Sequence, residues 1–428
     1  MELKRFKDIM AIKKDEKVWG FHSRNLQVAE LDSAAWRALN EPSVADQTAL
    51  REISQWNQEN DGAVTTEKTP SYIKTLVVNV TQICNLRCVY CAAGGDGTYG
   101  SKKGKVDLEK VKNQLTSFIE KVPNGESFHI NFLGGEPLLH PEAISALADH
   151  VAVLKTGRDI RVEFGITTNG TLIDEEIAEL LASIRCHVTV SLDGKPETND
   201  LVRPSANKKG SSLQTMNGLD QLMLVRERLG SLSVNGVYGK HNMKVFEGYQ
   251  FFRAYDFDAI NILYAINDED QIYSEQFIEQ MEQVLAYADM FGEQELRKFT
   301  FLNHYFASLD GQVRTVNHCG AGKSLLFTDT RADLFTCAWL MVDPNEKVGS
   351  GTLLDSEKLA EYQDPLLEKN NCQTCWARFL CGGGCMNVNK VKKGDKFLKD
   401  EYFCKRTRAL VALGIHYYGK HRSIEQGA

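Results

Sequence analysis

Between Tyr72 and about Phe299, short apolar runs alternate with longer stretches whose apolar positions recur at helical spacing. The runs Thr75–Val80, Phe128–Leu133, Val162–Thr167, Val188–Leu192, Leu232–Val237 and Ile260–Tyr264 have the length and composition of buried strands. Between the first two, Leu108, Val111, Leu115, Phe118, Ile119 and Val122 mark one face of a helix packed on a sheet. Six strand–helix units in succession predict an α/β region with a parallel sheet, either open or a partial barrel. Ahead of it, short strands are predicted around Ile9–Ile12, Lys17–Phe21 and Leu26–Leu31, then helical stretches after Asp32, an N-cap for Ala34–Leu39, and after Ser43. The polar segment Asn57–Pro70 reads as a linker.

The chain has 428 residues and a net charge of −7, which suggests two or three domains and argues against a phosphate-tracking surface. Nucleic acid is therefore not an expected partner. Met1–Lys17 lacks the apolar core of a secretory signal, and no stretch has the length to span a bilayer, so a cytoplasmic protein with no membrane partner is expected. Eleven cysteines in a reducing compartment point to thiolate ligands rather than disulfides.

Three of them follow the first strand of the alternating region, in TQICNLRCVYC from Thr81 to Cys91. Clustered thiolates hold zinc or an iron–sulfur cluster, both commonly through four protein ligands. Cys84, Cys88 and Cys91 have no fourth cysteine or histidine nearby in sequence, and a cubane held by three thiolates keeps one iron open. The alternative is core or zinc-binding cysteines. NFLGGEP, from Asn131 to Pro137, ends the second strand; Gly134 and Gly135 permit close backbone approach, and Glu136 offers an acceptor for an ammonium group, unless the motif is a simple turn. TTNGT (Thr167–Thr171) and SLDG (Ser191–Gly194) end the third and fourth strands with polar side chains that suit either a ligand or a turn. Arg203 suits a carboxylate partner or a solvated surface position.

The C-x3-C-x2-C pattern, with Tyr90 just before its last cysteine, resembles the radical S-adenosylmethionine (SAM) superfamily, and the later strand-end motifs strengthen the likeness. The resemblance implies a partial (β/α)6 TIM-like barrel over residues 70–300. It also implies a [4Fe-4S] cluster on Cys84, Cys88 and Cys91, and SAM held by residues such as Tyr90, Gly134, Gly135, Glu136, Asn169, Ser191, Asp193 and Arg203. Reductive cleavage of SAM would yield a 5′-deoxyadenosyl radical, with an electron donor such as a flavodoxin or ferredoxin.

Cys372, Cys375, Cys381 and Cys385 form C-x2-C-x5-C-x3-C, preceded by Cys319 and Cys337 and followed by Cys404. This set resembles the SPASM domain, the auxiliary-cluster extension of radical enzymes that mature peptides and proteins, over residues 301–428. The family arrangement implies two auxiliary [4Fe-4S] clusters. The distal one takes Cys372, Cys375, Cys381 and Cys404; the proximal one takes Cys319, Cys337 and Cys385, leaving a position for substrate, a histidine such as His318 or a backbone group. Cys186 opens an apolar strand and reads as buried and inert. Ala332 stands where family members often carry glycine, five residues before Cys337.

The head, residues 1–69, resembles part of a small winged-helix-like α+β domain that captures a leader peptide by strand addition; a structural cap is the alternative. The expected function is a maturase that oxidatively cross-links residues of a ribosomally made precursor peptide, through a thioether, carbon–carbon or carbon–oxygen bond. The alternatives are an enzyme like the anaerobic sulfatase maturases, which usually have an eighth ligand cysteine and no recognition head, and a non-enzymatic electron-transfer or zinc-scaffold protein.

Overall fold

The computed structural model describes residues 1–40, 47–58, 64–100, 104–266 and 271–426. The expected helix start after Ser43 lies partly outside these residues. The chain divides into two compact units, each assembled from separated segments. One comprises Met1–Lys68, Met281–His318 and Asp364–Ala428; the other comprises Thr69–Gln280 and Cys319–Gln363.

The first unit opens with an antiparallel sheet of β1 (Glu2–Phe6), β2 (Ile9–Lys14), β3 (Lys17–His22) and β4 (Gln27–Glu30), in that order. Ile9, Ala11 and Val18 are buried on its inner side against Ala35, Trp36 and Ile53 of helices Ser33–Asn40 and Gln47–Gln58. Asp32 caps the first helix, its carboxylate accepting from the Ala35 amide at 2.7 Å. β1 was not predicted: four of its five residues are exposed, so no apolar alternation marks it. The head joins the cysteine-rich tail. Phe21 meets Trp376 edge to face at 6.3 Å, and Arg5 donates to the Thr374 carbonyl at 2.7 Å. Two residues of the predicted linker form β5 (Thr65–Thr66), which pairs in parallel with β12 (Val313–Arg314), and Glu67 accepts from the amides of Val316 and Asn317, both at 2.8 Å.

In the second unit all six predicted strands form a parallel series in chain order: β6 (Thr75–Asn79), β7 (Ser127–Leu133), β8 (Arg161–Thr168), β9 (His187–Ser191), β10 (Ser231–Tyr238) and β11 (Ala259–Tyr264). Helix Leu108–Ile119 turns Val111, Leu115, Phe118 and Ile119 into the core, as its spacing requires, with Asp107 as N-cap. β13 (Leu325–Thr328) adds in parallel beside β6, and β14 (Asp333–Phe335), β15 (Lys347–Ser350) and β16 (Leu353–Leu354) extend the sheet antiparallel. These four strands have two to four residues each, too few for a readable period, so no apolar pattern predicts them. The turn before β14 carries Ala332 at φ +68°, the left-handed region that favours glycine. Its carbonyl accepts from Gln114 Nε2 and the Gly351 amide, which hold the turn despite the side chain.

Candidate radical site and cysteine clusters

The C-terminal ends of β6 to β9 gather the predicted motifs on one side of the sheet, where the crossover connections of a parallel sheet leave room for a ligand. The cysteine loop leaves β6 and is tied to the glycine motif leaving β7. Gly135 N donates to Thr81 O at 2.6 Å, and Glu136 N to Ile83 O at 2.9 Å. A β-carbon on Gly135 would lie 2.2 Å from Ile83 O, and one on Gly134 would lie 2.3 Å from Thr81 O, so only glycine allows this approach.

Within the loop, Cys84 N donates to Gly95 O, Cys91 N donates to Cys88 O, and the Leu86 amide points at Cys84 Sγ from 3.3 Å. All three cysteines are free thiols, intermediate in burial. Burial pushes Cys84 up to about 11 and raises Cys88 as well, so the thiolates need a cationic partner to exist near neutral pH. An iron cluster is such a partner. Among the described residues no three thiol, imidazole or carboxylate groups converge on a point where they could grip one metal ion. A cubane makes a different demand, because each thiolate takes a separate iron at a separate corner.

Glu136 is 1% exposed. One carboxylate oxygen accepts from Thr168 Oγ1 at 2.7 Å and Leu138 N at 3.1 Å; the other accepts from Asn169 N at 2.8 Å. Burial still holds its pKa above the usual carboxylate range against these bonds. A carboxylate so placed retains acceptor capacity for a cationic donor. Asn169 reaches from β8 to the cysteine loop, its Nδ2 donating to Asn85 Oδ1 at 2.8 Å, while Asn85 Nδ2 donates to Thr171 Oγ1 at 2.8 Å. Asn85 was missed as a site residue, although it follows the first cysteine directly.

Tyr90, Asp193 and Arg203 form a second group, in which Asp193 and Arg203 are buried and Tyr90 is half-buried. The Tyr90 hydroxyl donates to Asp193 Oδ2 at 2.5 Å and accepts from Arg203 Nη1 at 2.5 Å, and Arg203 lies 3.8 Å from Asp193. Arg203 is 6% exposed, so it is not a solvated surface arginine. Asp193 Oδ1 also accepts from the Val237 amide, and the Asp193 amide donates to Asn199 Oδ1. Ser191 closes β9 at the same end, opposite Asn235.

The radical SAM superfamily model matches residues 78–236, which span the three-cysteine loop and the strand-end motifs. The chain carries a radical SAM domain. It is 23% identical over 96% of its length to the radical SAM cyclopropyl synthase TigE of Paramaledivibacter caminithermalis, covering 95% of that protein. It is 26% identical over 73% of its length to the mycofactocin maturase MftC of Mycobacterium ulcerans, covering 82% of it. With an uncharacterized protein of Methanocaldococcus jannaschii the identity is 34%, over 34% of the chain, which spans about half the length of that relative (48%). Among solved structures, anSMEcpe with bound AdoMet superposes with a TM-score of 0.67 at 18% identity, over 82% of this chain and 98% of that one. Streptococcus suis SuiB bound to the precursor peptide SuiA superposes with a TM-score of 0.52 at 16% identity, over 94% of this chain and all (100%) of that one. At these identities the two structures speak for the fold. A radical SAM domain implies a [4Fe-4S] cluster and SAM.

The cysteine-rich C-terminal region fits a SPASM domain. Cys372, Cys375, Cys381 and Cys404 share one neighbourhood in the first unit. Burial pushes Cys381 up to about 12, and its three partner cysteines push the same way; Cys404 is raised to about 11, by burial first. Gly382 and Gly383, at φ +70° and +99°, fold the chain tightly between them: a β-carbon on either would lie within 2.7 Å of the Asn317 or Leu366–Leu367 backbone. Cys319 and Cys337 belong to the second unit and Cys385 to the first. His318 Nδ1 lies 3.2 Å from the Cys381 carbonyl. Cys186 is fully buried at 0% exposure, as its apolar strand predicts.

Proposed function

We propose that the protein is a radical SAM peptide maturase that oxidatively cross-links residues of a ribosomally made precursor, and that it works in the cytoplasm. The observation that carries the proposal is one chain holding two thiol sets of different kinds: three thiols beside a buried carboxylate and a hydrogen-bonded Tyr–Asp–Arg group, and a separate set of four. Cys84, Cys88 and Cys91 would hold the radical cluster, with Glu136 accepting from the ammonium group of SAM, and Tyr90, Asn169, Ser191, Asp193 and Arg203 lining the rest of its site. Bound there, cluster and cofactor supply a 5′-deoxyadenosyl radical when a reduced flavodoxin or ferredoxin provides an electron.

Gly134 and Gly135 hold the cysteine loop against β7, and Asn169 locks it to β8, which fixes the reacting geometry to within bonding contacts. Loss of a hydrogen atom from an unactivated peptide carbon, bonding of that carbon to a sulfur or ring with loss of a proton, and withdrawal of one electron together remove two hydrogens. Cys372, Cys375, Cys381 and Cys404, and separately Cys319, Cys337 and Cys385, would hold the auxiliary clusters that accept this electron. The relatives named as a cyclopropyl synthase and a mycofactocin maturase support a peptide substrate.

The head supports leader capture. β4 is the outer strand of its sheet, and a groove of about 720 Å³ runs beside it, lined by Val28, Glu30, Asp310, Tyr418 and Arg422. An edge strand beside a groove suits strand addition, with backbone bonds giving affinity and the groove selecting side chains.

The test is anaerobic co-expression with a short peptide encoded beside the gene, followed by mass spectrometry, for the wild type and for the Cys84→Ala, Cys88→Ala, Cys91→Ala variant. Loss of two hydrogens that depends on the three cysteines supports the proposal. Deoxyadenosine formation without a mass change points to epimerisation and refutes cross-linking of that peptide.

A further inference from the structure

A small apolar pocket of about 50 Å³ lies in the second unit, between the cysteine loop and the Cys337 segment. Leu133, Phe327, Met341, Tyr99 and Trp339 supply its walls. Phe327 and Met341 pack together with Phe335, and Tyr99 and Leu133 rest against them. The Tyr99 hydroxyl donates to the Trp339 carbonyl at 2.7 Å, and the two rings meet edge to face at 6.4 Å, which fixes one side. Ala93, two residues past Cys91, and Ala338, next to Cys337, also border it.

Two polar side chains break this lining: Gln82, whose Nε2 donates to Thr330 Oγ1 at 3.0 Å, and Asn79. Asn79, the last residue of β6, is 1% exposed, and its Oδ1 has no hydrogen-bond partner among the described residues. Its Nδ2 reaches only Met341 Sδ, at 3.7 Å. A β-carbon on Gly134 would sit 2.7 Å from that oxygen, so glycine there keeps the acceptor uncovered. A buried acceptor without a partner is costly, and such groups in native structures commonly wait for a ligand or an ordered water. Volume sets the size of the ligand: a dry cavity of about 150 Å³ takes benzene, and this pocket has about a third of that. It admits a methyl, hydroxymethyl or thiomethyl group and excludes a ring.

We propose that this pocket seats one small residue of the substrate peptide, of glycine, alanine, serine or cysteine size, with its N–H or O–H donating to Asn79 Oδ1. The proposal rests on the peptide-maturase reading and names a specificity determinant within it. A residue held here lies between the loop of Cys84, Cys88 and Cys91 and the segment of Cys337.

The experiment uses the cluster-loaded protein and two probes, N-acetylalanine N-methylamide and N-acetylphenylalanine N-methylamide, in crystal soaks and calorimetric titrations. The wild type should take the alanyl probe in the pocket and refuse the phenylalanyl one. Met341→Ala should admit the phenylalanyl probe, and Asn79→Leu should weaken alanyl binding about tenfold, the scale of one hydrogen bond to a buried acceptor. Water alone in the pocket, alanyl binding elsewhere, or unchanged binding by Asn79→Leu overturns the proposal. Precursor processing that ignores both substitutions sinks the pocket and leaves the maturase reading standing. An alanyl probe seated as expected, with no precursor modified, sinks the maturase reading and keeps the pocket.

Discussion

Gly135→Ala is the sharpest probe of how the radical site is held together. The added carbon would lie 2.2 Å from Ile83 O and 2.8 Å from Cys84 N, while real β-carbons essentially never come within 3.0 Å of a neighbour. Backbone rather than a flexible side chain is in the way, so the Ile83–Cys84 segment or the β7 exit must move by nearly an ångström. That movement breaks or stretches two bonds, Gly135 N to Thr81 O and Glu136 N to Ile83 O. Two hydrogen bonds at about 1 kcal/mol each, with about 1–3 kcal/mol for overpacking, place the loss at roughly 3–5 kcal/mol. Function should suffer more than stability, because Cys84 moves with the loop and a misplacement of about 1 Å costs on the order of 100-fold in rate. The assay compares iron content after anaerobic reconstitution, denaturant midpoint and deoxyadenosine formation in the variant and the wild type. A variant with wild-type iron, midpoint and deoxyadenosine rate would refute the close packing of the glycine motif on the cysteine loop.

Two further outcomes are open to measurement. Cys186 should stay unmodified by iodoacetamide in the native apo-protein while exposed thiols react, because burial leaves it inaccessible and pushes its pKa far up; rapid labelling would contradict its place in the core. His416 is held down to about 4, by burial first and then by Lys14. The unfolded chain binds this proton below about 6.5 and the native chain only near 4, so stability should be lost as pH falls through that window, by up to about 3 kcal/mol. His416→Leu should flatten the profile between pH 6.5 and 4, and an unchanged slope in denaturant midpoints would remove His416 as its source.

The sequence determined the six parallel strands and the three-cysteine loop because both are written locally. An apolar run such as Phe128–Leu133 marks a strand that buries Phe128, Ile130 and Phe132 on one face, and C-x3-C-x2-C fixes three thiols in one short loop. The same holds for Glu136, whose glycines announce a close approach before anything shows what is approached. Pairing and placement needed the tertiary structure. Arg203 reads equally well as a surface cation until Tyr90, from the distant cysteine loop, and Asp193, from the end of β9, are brought to it. Asn79 is an ordinary strand end until the walls around its oxygen prove apolar. Strands β13 to β16 gain their stability from a sheet edge already built by β6, and their few residues carry no period of their own. Periodicity and spacing record which surfaces a segment must bury or which atoms it must present; which partner meets them is set by packing between segments far apart in sequence.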